Sequence, residues 1–227
     1  MRYRFAVEDM EPDHWVAWSL DLPGCYSAGS TEAQAVGLAP ERIGAYRQRL
    51  VARGVSGWPL AGPIDVEVVE RFRAFACAHD PDYLVNAFFE YDRRPLDGTE
   101  ISLALQLLAW NRQALLELVG GLGPEELAAS VADRNDWRVS HILAHIAGAE
   151  NWYFGHLDMD LHTLPEEPLA RLAAARANTV DRLAQLIGIE RITLNCDEKW
   201  SPRKVLRRTL WHEQDHTQQL AKLLQGR

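Results

Sequence analysis

The sequence predicts an α+β domain followed by an all-α four-helix bundle, and three features of the residue pattern predict it. Tyr3, Phe5 and Val7, and later Ile64, Val66 and Val68, recur at every second position, the period of a half-buried strand. Beyond Gly98 the apolar spacing changes to three and four residues, through four stretches of about twenty residues, roughly 30 Å of helix each. Two histidine pairs stand at the i,i+4 spacing inside these stretches, His141 with His145 and His212 with His216. On a helix such a pair projects from successive turns of one face.

A chain of 227 residues accommodates one large or two modest domains, and the change of period favours two. With 47% hydrophobic and 25% charged residues it can bury an ordinary core without a lipid phase. The net charge of -8 argues against nucleic acid or an anionic membrane as partner, since both call for a basic face. Cys25, Cys77 and Cys196 are odd in number and show no Cys-x-x-Cys spacing, which reads as reduced thiols in a cytoplasmic protein. Met1 to Phe5 lead straight into alternating sequence with no apolar signal core, and no later run is long enough to span a bilayer. A soluble, unexported chain is expected.

The first domain is read over residues 1–73. A strand through Tyr3, Phe5 and Val7 is followed by a hairpin partner from His14 to Leu20, a turn at Asp21-Leu22-Pro23-Gly24-Cys25 and a short third strand. Thr31 with Gln34 three residues on has the form of a capping box and opens a helix through Arg42, Tyr46 and Leu50 to Gly54. Pro40 should kink or divide that helix. A last strand runs through Ile64, Val66 and Val68 towards Phe72. Asp21-Leu22-Pro23-Gly24-Cys25, Gly29-Ser30-Thr31 and the helix after them resemble the HicB-like family. That resemblance implies a partner toxin that cleaves RNA and an appended DNA-binding segment. No helix-turn-helix or ribbon-helix-helix pattern follows Phe72, so the expectation is a dimerising or substrate-covering module, with a homodimer as its simplest form, rather than an antitoxin. Cys25 is expected to pack in its turn and not to act as a nucleophile, because no nearby base accompanies it.

Residues 74–98 read as a structured connector, with a short helix through Tyr83, Leu84, Val85 and Phe88 ending before Asp97-Gly98. The helical domain is read over residues 99–227. Thr99 is expected to cap its first helix, whose stripe is Ile101, Leu105, Leu108, Leu115 and Val119. The second starts near Trp137 and runs past Trp152. The third follows Pro165 with Leu169, Ala173, Ala177, Val180, Leu183 and Ile187 on one face. The fourth begins at Ser201, with Pro202 in the first helical position, and its basic cluster Arg203, Lys204, Arg207 and Arg208 reads as a solvated face.

In the fourth helix the stripe Val205, Thr209, His212, His216, Leu220 and Leu223 aims both imidazoles at the core. In the second, Ile142, His145, Ala149 and Trp152 share a face, so His145 can meet them, with His141 a turn earlier as bystander. Gly148 and Ala149 are small enough to leave space beside a metal, and with Trp152 they are the expected pocket lining. A glycine there could equally serve close approach of a neighbouring helix. Three neutral imidazoles and one further ligand suit Zn(II), and imidazole also suits Ni(II), Fe(II) and Co(II). His212-Glu213-Gln214-Asp215-His216 also matches the His-Glu-x-x-His hydrolase motif, with Glu213 as general base, but Gln219 and Lys222 replace the Gly and His of its extended form.

Trp137-x-Val139-x-x-Ile142-Leu143-x-His145, Ala149-Glu150-x-Trp152-Tyr153, Trp200-Ser201 and His212-x-x-x-His216 resemble the DinB-like superfamily of metal-binding four-helix bundles, over residues 88–226. The resemblance implies that His145, His212 and His216 hold one divalent metal ion. It also implies a thiol-dependent S-transferase or isomerase acting on a small molecule, with a low-molecular-weight thiol as cosubstrate. The rival expectation is a non-catalytic metal- or ligand-binding stress or regulatory module.

Overall fold

The computed structural model describes residues 2–128 and 138–225. Two compact units divide them. The chain up to Arg94 forms the first together with Ile192–Trp200, and Pro95–Arg191 with the chain from Ser201 forms the second.

In the first unit β1 (Arg2–Glu11), β2 (His14–Ser19), β3 (Tyr26–Gly29) and β4 (Asp65–Arg73) make one sheet in the order β3-β2-β1-β4. β1 pairs antiparallel with β2, Val7 opposite Ala17, and parallel with β4, Tyr3 opposite Val66. A parallel pair needs a crossover, which α1 (Glu32–Ala52) supplies on one face of the sheet. Tyr3, Phe5 and Val7 of β1 are fully buried, as are Ala35, Ala39, Ile43 and Leu50 of α1. Thr31 caps α1 by accepting from the Gln34 N–H at 3.2 Å, and Gln34 Oε1 reaches back to the Ser30 N–H at 2.7 Å. Pro40 does not divide the helix as expected. It lies on the exposed face, where water can serve the carbonyl that loses its partner.

The expected short helix through Tyr83, Leu84, Val85 and Phe88 is replaced by a hairpin of β5 (Phe75–Cys77) and β6 (Asp80–Val85), followed by a 3-10 turn over Glu90–Arg93. Aromatic and β-branched residues favour the pleated form once a partner strand lies beside them. A second hairpin, β7 (Thr193–Asn195) and β8 (Glu198–Trp200), was not anticipated. Its two-residue loop places Cys196 and Asp197 at φ of 47° and 65°, the left-handed pair that a tight hairpin turn requires. Cys196 is joined to Cys77 by a disulfide across 119 residues. The Ala78 N–H donates to Asp197 Oδ2 at 2.9 Å and the Tyr83 hydroxyl to the buried Glu198 at 2.5 Å, so the two hairpins are tied at several points. The reading of reduced thiols is therefore corrected for Cys77 and Cys196. Cys25 is free and buried, and burial pushes its thiol up to about 12, which fits packing and not nucleophilic chemistry.

The second unit is helical. It contains α2 (Gly98–Val119), α3 (Pro124–Ala128), α4 (Val139–Gly155), α5 (Pro168–Leu183) and α6 (Pro202–Gln225). Trp137, expected near the start of the second long helix, lies outside the described residues. Asp97, and not Thr99, caps α2: its side chain accepts from the Glu100 N–H at 2.8 Å while Glu100 accepts from the Asp97 N–H at 3.1 Å. Leu115 and Val119, Ile142, Leu143 and Ile146, Leu172 and Ala175, and Leu220 share one core, so α2, α4, α5 and α6 all contribute to it.

Two readings of these helices are corrected. On α5 most of the expected stripe is turned outward, with Leu169 and Val180 exposed by 38% and 48% and Ala173 and Ala177 also exposed; Leu183 is buried as expected, and Ile187, 46% exposed, lies beyond the end of the helix. The buried face is Leu172, Ala175, Arg176, Thr179 and Leu183. Hydrophobic spacing misplaced it because Arg176 belongs inside. On α6, Arg203, Lys204 and Arg208 are buried and not a solvated face. Arg203 donates to Glu100 Oε2 and to the Pro95 carbonyl, each at 2.7 Å. The Arg208 guanidinium lies over the Trp211 and Tyr153 rings at 4.6 and 5.7 Å. Among the described residues no helix is long and apolar enough to cross a membrane.

Candidate metal centre

α6 carries His212 and His216 one turn apart, and α4 brings His145 to them. His212 Nε2 stands 3.1 Å from His145 Nε2 and 3.2 Å from His216 Nε2. The one ligand atom that each residue offers lies within 4.8 Å of the others, which makes these three the histidine cluster placed for a metal among the described residues. Nitrogens around a tetrahedral zinc at about 2.0–2.1 Å would be roughly 3.3 Å apart, so the donor spacing fits an ion with little movement. His216 Nδ1 meets Gln219 Oε1 at 2.8 Å. The amide oxygen can only accept, so the proton sits on Nδ1 and the Nε2 lone pair faces the cluster.

Burial differs across the cluster: His212 is buried, His216 half-buried and His145 exposed. The site therefore has an inner wall and an open side. Desolvation of the covered part of its ring, then the neighbouring His216, lowers His145 to about 4 although the residue as a whole is exposed. The same causes, with His145 and Arg208 adding to them, hold His212 well below its ordinary value. Both rings stay neutral at neutral pH, the form that ligates. Such histidines refuse protons that the unfolded chain takes up near pH 6.5, so the metal-free fold is at full advantage above that pH and loses it as the pH falls towards 4. Melting of the metal-free protein should accordingly drop less between pH 7 and pH 4.5 in His145→Gln than in the wild type. Equal drops would mean that His145 has no part in the acid sensitivity.

Behind the imidazoles Ile146, Glu150, Tyr153, Thr209, His212 and Glu213 line a narrow crevice. Tyr153 turns its ring edge-on to His212 at 5.8 Å, and Trp211 does the same at 5.7 Å. Beneath them lies a buried group of four charges that sequence reasoning missed. Arg112 Nε donates to Glu213 Oε1 at 2.5 Å and Arg176 Nη2 to Glu213 Oε2 at 2.6 Å. Arg176 Nε donates to Glu150 Oε1 at 2.8 Å and Arg112 Nη2 to Glu150 Oε2 at 3.2 Å. Burial alone would raise Glu150, but the guanidinium of Arg176, then that of Arg112, holds it below the usual carboxylate range. Both oxygens of Glu213 are thus committed to arginines, and the carboxylate that a His-Glu-x-x-His hydrolase needs as general base is taken up in ion pairs. One sequence signal could have found the group. Arg112 and Arg176 stand four residues after Leu108 and Leu172, on core faces.

The remaining expected site residues lie apart from this inner wall. Gly148 and Ala149 are half-buried on α4. A Cβ at Gly148 would meet only the tip of Arg171 at 3.8 Å, so no neighbouring backbone demands the glycine. Trp152 is 42% exposed and packs against Tyr153 and His156. His141 is exposed one turn before His145 and is not in the cluster.

A helical scaffold that gathers imidazoles from two helices into a cluster placed for a metal ion defines the class of protein. The sequence profile of the DinB superfamily, whose members commonly bind metal, matches residues 107–220, a span that contains all three histidines. The chain belongs to that superfamily. No curated protein and no solved structure matches it.

Proposed function

We propose that the protein is a metal-dependent enzyme acting on a small molecule, with His145, His212 and His216 holding one divalent ion and a low-molecular-weight thiol as cosubstrate. The reading is carried by the convergence of three Nε2 atoms on one point that is walled within and open on the His145 side. The four long helices serve as the superfamily's four-helix bundle. Zinc is the first choice of ion, with nickel, iron and cobalt compatible with the donors. When bound with a position left free, such an ion supplies the positive charge that brings a thiol to its anionic form near neutral pH.

The chain's own residues do the rest. The exposed flank at His145 admits the substrate, Gln219 holds His216 in its ligating tautomer, and the rings of Tyr153 and Trp211 exclude water from the inner side of His212. With Glu150 and Glu213 committed to arginines, the thiol proton leaves to solvent and not to either carboxylate. S-transfer or isomerisation is the reaction class. For the first unit we propose a HicB-like dimerising or substrate-covering role.

A thiol-transfer assay tests this reading, with glutathione, bacillithiol and mycothiol offered against a panel of electrophiles. The metal-loaded wild type should exceed background with at least one thiol, and His145→Ala should fall to background. Equal rates in the two proteins, or none with any thiol, would favour a non-catalytic metal- or ligand-binding regulatory module.

A further inference from the structure

The buried charges hold together the two helices that supply the ligands. Glu150 stands on α4 five residues after His145, and Glu213 stands on α6 next to His212. Their link runs through Arg112 of α2 and Arg176 of α5, each of which donates to both carboxylates. Arg176 Nη2 adds a second bond to Glu150 Oε2 at 3.1 Å. The arginines are also clasped reciprocally: Arg112 Nη1 donates to the Leu172 carbonyl of α5, and Arg176 Nη1 to the Leu108 carbonyl of α2, both at 2.6 Å. All four side chains are buried.

Apolar contacts between helices are non-directional and leave them some freedom to slide or rotate. Planar guanidinium forks on carboxylates do not, because each bond is short and directional. A three-histidine site tolerates displacements of only about 0.5 Å, and its third ligand here comes from a different helix than the other two. We propose that Arg112, Glu150, Arg176 and Glu213 form a positioning ring that sets the register of α4 against α6 and thereby the affinity of the histidine site. These are positioning residues: they act on the ligands through the helices and do not touch the ion. The inference rests on the metal-binding reading above.

Co(II) titration of the metal-stripped full-length protein tests it, following the dissociation constant and the visible absorption of the bound ion. Glu150→Gln keeps the shape of the side chain, loses its charge and is several residues from any ligand. It should weaken Co(II) binding by about tenfold or more and alter the absorption bands. Arg176→Met should do the same. Arg203→Met serves as the comparison, since it breaks a part-buried pair between α6 and α2 with Glu100, nine residues before His212. It should lower the melting temperature and leave Co(II) affinity and spectrum unchanged. If Glu150→Gln and Arg176→Met also melt earlier yet bind Co(II) like the wild type, the ring is structural only and the proposal falls. Should Arg176→Met fail to fold, Glu150→Gln decides. Wild-type protein that takes up no Co(II) would instead overturn the histidine site itself, and this inference with it.

Discussion

His212→Ala is expected to reduce the metal content of the purified protein from about one ion per chain to almost none. His212 is the middle member of the cluster, with its Nε2 at 3.1 Å from His145 and 3.2 Å from His216. Without it the site keeps one donor from each helix, and two imidazoles make a poor site in competition with water and buffer. His212 is also the buried member, so its loss opens the inner wall as well as the coordination sphere. His216→Ala should behave similarly, because it too leaves only two imidazoles, one on each helix. His141→Ala should retain the ion, since His141 lies a turn away on the exposed side of α4. Elemental analysis of protein purified without an affinity tag measures all of these. Loss of metal in His141→Ala with retention in His145→Ala would refute the ligand assignment.

Arg176→Met is expected to destabilise the protein by about 3–5 kcal/mol in urea unfolding, the usual cost of removing one partner from a buried ion pair. Arg176 donates to Glu150, to Glu213 and to the Leu108 carbonyl, and the variant takes a charged partner from each buried carboxylate. Arg112 still reaches both glutamates, but a single guanidinium cannot balance two buried carboxylates. Replacing all four members by apolar residues of similar volume should cost far less than Arg176→Met alone, because each charge was desolvated on folding and no charge would remain unmatched. If Arg176→Met unfolds at the wild-type urea midpoint, the ring does not carry the buried charge balance described here.

What could be read directly was whatever one helical turn or one strand can express. The i,i+4 spacing of His212 and His216 sets their relation on any helix, and the alternation of Tyr3, Phe5 and Val7 sets their common face on any strand. Thr31 as the cap of α1 and Ser201 with Pro202 at the start of α6 were legible for the same reason, since a cap bonds only within its own turn. The α2 cap slipped by two residues because Asp97 and Thr99 are both good caps and only the reciprocal bond with Glu100 separates them.

The change from strand to helix and the common face of His212 and His216 on α6 were set locally, because both follow from periods of two and about 3.6 residues. The tertiary structure alone decided which face of α5 is buried, that Glu213 is bound to arginines and that Cys77 pairs with Cys196. Each of these depends on groups far apart in the chain: Glu213 meets Arg112 across 101 residues, and the disulfide spans 119. A local pattern scores Arg176 as polar and turns it outward, and only the carboxylates that meet it in the folded unit offset the cost of taking its charge out of water.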